Sequence, residues 1–186
     1  MDNATFYSFE EGTNPESQTR ILNGIIASHI DDSLMVSNET MKEQVMEKMK
    51  ERFTFGSHED VPFRYVGLNI DKEGEAVIIN QDHFVESIIA PDLEKISSYK
   101  KSWMLSEEFQ TKYRSLVSKL NILSMSARPD ISFEVKVLTT KYGKANKGDL
   151  MKAIKVLQKI KRKTTRITIP DMGGVHCVRL CFVFSE

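Results

Sequence analysis

The sequence predicts an α+β fold: antiparallel hairpins with interleaved helices first, then a helical region, then a terminal β-hairpin. Three observations carry this expectation. Short apolar runs broken by turn residues fill the first half, and apolar residues at helical spacing dominate the second. The charge also reverses: residues 1–98 hold 8 Lys and Arg against 19 Asp and Glu, a net of −11, while residues 99–186 hold 18 against 7, a net of +11.

Taken in order, ATFYSF (residues 4–9) and GIIASHI (24–30) read as strands, joined by a polar linker rich in Glu, Ser, Asn and Gly. Residues 33–37 read as a return strand, which leaves the adjacent Asp31 and Asp32 at or beside a tight turn. Thr40 and Glu43 have capping-box spacing and predict a helix start. The stripe Met41, Val45, Met49 and Phe53 then faces a core rather than a cofactor. FRYVGLNI (63–70) and AVIIN (76–80) flank Gly74 and predict a second hairpin, followed by a short helix over 81–89 that Pro91 stops.

Residues 99–105 read as a linker, pinned at Trp103. Beyond it, Leu116, Val117, Leu120 and Leu123 lie at helical spacing, and Arg128-Pro129-Asp130 breaks that helix. Two more helices are expected over 131–142 and 149–163, divided by Gly143 and Gly148, with Asp149 in the first turn of the last one and a basic end, KIKRK. RITIP (166–170) and VHCVRLCFVF (175–184) read as strands; Cys177 and Cys181, an even number of residues apart, read as strand residues on one face rather than zinc ligands.

With 186 residues, the chain has room for one sizeable core or two small ones. Ten Phe and nine Met, with many Ile, Leu and Val, supply apolar surface that a disordered chain lacks. No apolar run approaches the ~20 residues of a membrane span. The start, MDNATFYSFEEG, has neither the basic beginning nor the apolar stretch of a signal peptide, so an intracellular protein, cytoplasmic or nuclear and not secreted, is expected.

Two features point to chemistry. Adjacent carboxylates at a hairpin tip suit a hard divalent cation such as Mg²⁺, which takes oxygen ligands; the same letters also serve a plain solvated turn. Between Lys136 and Arg166 stand eleven basic side chains and one acid, Asp149, a density suited to a phosphate backbone and also to a solvated helix face.

On five blocks in order, the chain resembles the reverse transcriptase of copia-type retrotransposon Pol polyproteins. His29-Ile30-Asp31-Asp32 stands where that family carries its metal-binding hairpin. FTFG with FRYVGLNI, including Gly67, resembles the primer-gripping hairpin, and INQDHFVESII matches at Gln81 and Phe84. The helical connection matches at Tyr113, Arg114, Leu116, Arg128, Pro129, Asp130 and Ile131. ITIPDMGG and CVRLCFVFSE look like the approach to a ribonuclease H domain.

The resemblance implies a partial reverse transcriptase: the C-terminal part of the palm over residues 1–98, a basic thumb or connection over 99–165, and the start of a ribonuclease H-like domain over 166–186. Asp31 and Asp32 would be catalytic and bind Mg²⁺ or Mn²⁺, and Phe63, Tyr65 and Gly67 would position the primer. Lys152, Lys155, Lys159, Lys161, Arg162 and Lys163 would follow the phosphates of an RNA or DNA template–primer duplex, and the remainder of the Pol polyprotein would be a partner.

The family's third metal carboxylate and fingers lie outside this sequence, so the isolated chain is expected not to polymerise. Ser33, Ser118, Ile122 and Gly174 depart from the family's usual letters. The alternative expectation is a non-enzymatic nucleic-acid-binding remnant, or a domesticated or pseudogene product.

Overall fold

In a computed structural model, residues 4–11, 20–29, 32–52, 55–74, 76–170 and 176–182 are described. The fold is mixed α and β, with antiparallel sheets and helices, and it divides into two compact units. The first comprises residues 1–78 and 168–186; the second comprises residues 79–167.

The first unit holds strands β1 (Ala4–Glu11), β2 (Arg20–His29), β3 (Asp32–Ser37), β4 (Phe55–Asp60), β5 (Phe63–Tyr65), β6 (Leu68–Glu73) and β7 (Ala76–Asn80), with helix α1 (Glu39–Arg52) after β3. β7 leads into the second unit, and β8 (Ile167–Ile169) and β9 (His176–Phe182) lead back from it. Five strands pair in the order β1-β2-β3-β9-β4, and four in the order β5-β6-β7-β8. β9 pairs antiparallel with both β3 and β4, so Cys177 stands opposite Val36 and Cys181 opposite Asp32.

Helix α1 covers the sheet through Met41 and Met46, which are buried with Ile26 and Met35, while Val45 and Met49 pack at the margin. The helix begins earlier than Thr40. The Asn38 side chain accepts from the Met41 amide at 2.9 Å, so Asn38 takes the capping role expected of Thr40 and satisfies one amide that the first turn leaves open. Phe53, expected at the end of the stripe, lies outside the described residues, as does the polar linker over 12–19. Packing is close at Gly24 of β2: a Cβ there would meet the Met41 sulfur of α1 and would sit 2.7 Å from Ser37 Cβ and 2.8 Å from the Val36 carbonyl oxygen of β3.

FRYVGLNI is two strands rather than one. Val66 and Gly67 form a two-residue turn with φ of 46° and 79°, which returns the chain so that Phe63 pairs with Ile70 and Tyr65 with Leu68. Positive φ at both turn positions matches the hairpin twist, but a β-branched residue at the first is uncommon.

The second unit is helical: α2 (Asp82–Ser87), α3 (Glu107–Ser126), α4 (Ser132–Thr139) and α5 (Lys147–Arg162). One core joins them, built on the fully buried Tyr113, Val117, Leu120, Leu123, Leu150 and Leu157. The Tyr113 hydroxyl donates to the Leu138 carbonyl at 2.8 Å, tying α3 to α4, and burial pushes its phenol pKa well up. Residues 99–105 are pinned less by the half-exposed Trp103 ring than by backbone: the Leu105 amide donates to Ala145, and Lys147 and Gly148 donate to Trp103 and Lys101.

These units do not follow the charge boundary expected at residue 98. Val85, Ile88 and Ile96 are buried in the helical core, which draws residues 79–98 into the second unit despite their acidic character. Nor does the segment expected over 166–186 stand apart, because β9 is an inner strand of the first sheet, between β3 and β4. The polarity survives: residues 79–167 carry 18 Lys and Arg against 9 Asp and Glu, a net of +9.

Candidate nucleic-acid interface

Helix α5 is more strongly amphipathic than α1, α3 or α4, and its start is fixed on both sides. The Asn146 side chain accepts from the Asp149 amide at 2.9 Å, while the Asp149 carboxylate accepts from the Asn146 amide at 3.2 Å, a reciprocal cap that the Gly-Asp signal alone did not reveal. Leu150, Ala153, Ile154, Leu157 and Ile160 are buried in the core. That burial sets the helix rotation and turns the bases outward.

All six predicted basic residues are exposed, but they do not form one row. Lys152, Lys155, Lys159 and Arg162, spaced three, four and three residues apart, fall on one face. Lys161 lies on another side, with its ammonium donating to the Glu86 carbonyl at 3.4 Å, and Lys163 follows the last helical residue. Lys159 donates to both oxygens of Glu134 at 3.0 and 3.1 Å, and Lys152 lies 3.8 Å from Asp149. The half-exposed Lys159–Glu134 pair is worth no more than about 1 kcal/mol, and the contact of the exposed Lys152 with the buried Asp149 is long, so phosphate oxygens can compete for both lysines. Lys155 has no ion pair among the described residues.

The row borders an apolar groove of about 350 Å³ between α4 and α5. Phe133 (81% exposed) and Val137 (45% exposed) form one wall, Val156 the other, and Lys152, Lys155 and Lys159 line the rim. The sequence reading missed this feature. It found a helix here but did not separate the outward pair Phe133 and Val137, four residues apart, from the inward Val135 and Leu138.

The paired aspartates are divided. His29 ends β2 opposite Asp32, which begins β3, so Asp32 stands as the first strand residue beside the connection, within the expected placement at or beside a turn; Asp31 lies outside the described residues. The strand pairing runs through the last residue of β2 and the first of β3. No group of three or more His, Cys, Asp or Glu gathers as a metal site among the described residues. As donors, two carboxylates remain the oxygen-rich set that Mg²⁺ takes. Next in sequence, Ser33 is buried with its hydroxyl 2.7 Å from that of Ser28, so the departure at Ser33 forms a hydrogen-bonded pair across β2 and β3.

Phe63 and Tyr65 are 7% and 9% exposed, within the small core that includes Ile70, and the Tyr65 hydroxyl donates to the Ala27 carbonyl at 3.2 Å. Tyr65 is thus used in anchoring the hairpin to β2, and Phe63 in the small core. Of the three residues expected to position a primer, Gly67 alone stands at the exposed turn, beside Val66 and Arg64.

The recognisable letters of the connection also have internal duties. Arg128 is 3% exposed and donates to Asp130 at 2.9 and 3.0 Å, to the Lys163 carbonyl at 3.1 Å and to the Ile160 carbonyl at 3.4 Å. It therefore caps the end of α5, where carbonyls lack helical partners and a cation complements the dipole. The Arg128 guanidinium in turn holds the Asp130 carboxyl below its usual range. Leu116 and Ile131 are core, whereas the departures at Ser118 and Ile122 are exposed on α3.

The chain matches no family model, no curated protein and no solved structure. Among the described residues, no helix is long and apolar enough to cross a membrane.

Proposed function

We propose that this chain is part of a copia-type reverse transcriptase and that its helical unit holds the phosphate backbone of a template–primer duplex. The observation that carries the reading is the exposed row Lys152, Lys155, Lys159 and Arg162 on a helix whose opposite face is locked into a core. The positive unit around it and the five blocks of resemblance support the same ligand. Backbone contacts of this kind position a duplex without reading its sequence. In this reading Asp31 and Asp32 supply carboxylate oxygens for Mg²⁺ or Mn²⁺, ions that stabilise the attacking and leaving oxygens of a phosphoryl transfer.

Salt dependence tests the backbone contact. Four neutralised phosphates give a slope of roughly −3.6 in log K against log salt, measurable by fluorescence anisotropy with a labelled RNA–DNA duplex. Lys155→Gln should reduce the slope by about one unit, and the fourfold Gln variant of the row should abolish binding at moderate salt. Salt-independent association, or an unchanged slope in the fourfold variant, refutes it.

The second reading, a nucleic-acid-binding remnant without catalysis, is favoured by one observation: the row on α5 belongs to a unit with its own core and needs neither aspartate. Neither reading expects primer extension from the isolated chain, because the third metal carboxylate is absent, and extension by it that Asp31→Asn abolishes would overturn the partial-polymerase argument. Complementation separates the two: extension restored when the upstream palm and fingers of such a polyprotein are added, and abolished by Asp31→Asn, supports the polymerase, whereas duplex binding without restored extension supports the remnant.

A further inference from the structure

The groove between α4 and α5 is a poor fit to phosphates, because its walls are Phe133, Val137 and Val156 and only its rim is charged. We infer that it docks an acidic, amphipathic helical segment of a partner protein. Phe133 leaves four-fifths of its surface in water and Val137 nearly half, one turn apart on the same face of α4. Large apolar side chains held out of a well-packed core in this way are typical anchors of an interface.

Length and charge define the occupant. From Lys152 to Lys159 the rim runs roughly 10 Å, at 1.5 Å per helical residue. That is two turns, the span of three apolar anchors at i, i+4 and i+7. Lys152 and Lys155 stand along one side of this floor, and Lys155 has no ion pair among the described residues; acidic residues flanking the anchors complement them. Glu134 rims the opposite side, but Lys159 already binds it through both oxygens, so the net field over the groove is positive. A basic or neutral amphipathic helix would satisfy the floor and leave the rim unmatched. The inference stands independently of duplex binding, although both ligands use Lys152 and Lys155 and would exclude one another there.

The test uses the full chain and a fluorescein-labelled synthetic peptide of roughly four helical turns, with leucines at i, i+4 and i+7 and glutamates beside them. Saturable binding is expected, weakened at least about tenfold by Val137→Glu, which sets a like charge into the floor, and by Phe133→Ser, which truncates an exposed ring without opening the core. Lys155→Glu should weaken it less and flatten its salt dependence. Circular dichroism and the fluorescence of Trp103, the sole tryptophan, confirm folding of each variant. Equal binding of a scrambled peptide, or of the leucine peptide to the Val137→Glu and Phe133→Ser variants, overturns the inference. So does an oligothymidylate that binds through Phe133 while the peptide does not, which would give the groove to single-stranded nucleic acid. Duplex binding measured on Phe133→Ser keeps the readings apart, since that variant leaves the basic row intact.

Discussion

Arg128 offers the sharpest test of whether a recognisable sequence letter is there for the fold. In Arg128→Ala, the buried Ile160 carbonyl loses its donor, at about 1–3 kcal/mol. Two buried methylenes, Cγ and Cδ, go as well, at about 0.8 kcal/mol each. Asp130 is 36% exposed and can turn to water, so its lost partner adds little. The total is about 3–5 kcal/mol, in the range for breaking a buried pair from one side. Arg128→Met keeps most of the stem and should cost about 2 kcal/mol, and Arg128→Lys should fall near it, because an ammonium cannot reproduce the fork. Urea unfolding followed at Trp103 reports on the helical unit directly. At a slope near 2 kcal/mol/M, the alanine variant should shift the midpoint by about 2 M. A loss below about 1 kcal/mol in alanine, or equal losses in alanine and methionine, refutes the capping account.

Other outcomes follow from the same geometry. Because Arg128 depresses the Asp130 carboxyl, its contribution to stability is present above the ordinary value near pH 4 and fades as pH falls through the lower folded value. The stability gap between wild type and Asp130→Asn should therefore close in acid, measured by urea titrations from pH 6 to about pH 3. Val66→Asn should stabilise the hairpin by about 1 kcal/mol, since asparagine accepts the left-handed region more readily and Val66, 60% exposed, buries little; slower amide exchange across β5 and β6 is the readout. Gly24→Ala should destabilise the sheet unit by about 1–3 kcal/mol, because the clash is partly with the Val36 carbonyl and cannot be relieved by a rotamer change; amide exchange in β2 and β3 should quicken.

Much of the fold was legible where one strong local period governed a segment. The outline of α5 followed from apolar spacing, and most of β2 and β3 from two apolar runs. Errors arose where local signals competed or partners were remote. Val66 and Gly67 sat within an alternating run that reads as one strand, and only the pairing of Phe63 with Ile70 reveals the turn. Thr40 had the better motif, yet Asn38 was nearer the end of β3 and took the cap. The charge reversal drew a boundary at residue 98, but burial of Ile96 decided it instead. At the candidate site, composition found the bases and helical geometry then sorted them, setting Lys161 apart from Lys155. The two apolar runs placed Asp32 at or beside a turn, and only the register with His29 sets it as the first residue of β3.

The position of β9 bears on the order in which the chain can fold during synthesis. The helical unit is contiguous, and all of its residues are present before any of β9 has been made. β3 and β4, by contrast, acquire their shared neighbour from the far side of that unit. At ribosomal rates of roughly 5–20 residues per second, the interval is on the order of 10 s. For that time the sheet has an unfilled slot with two strand edges, the surface most prone to pairing with another chain. A chaperone that shields nascent strands would therefore matter most during this interval, and a chain released between α5 and β9 would have all of its helical unit and a sheet that is still open.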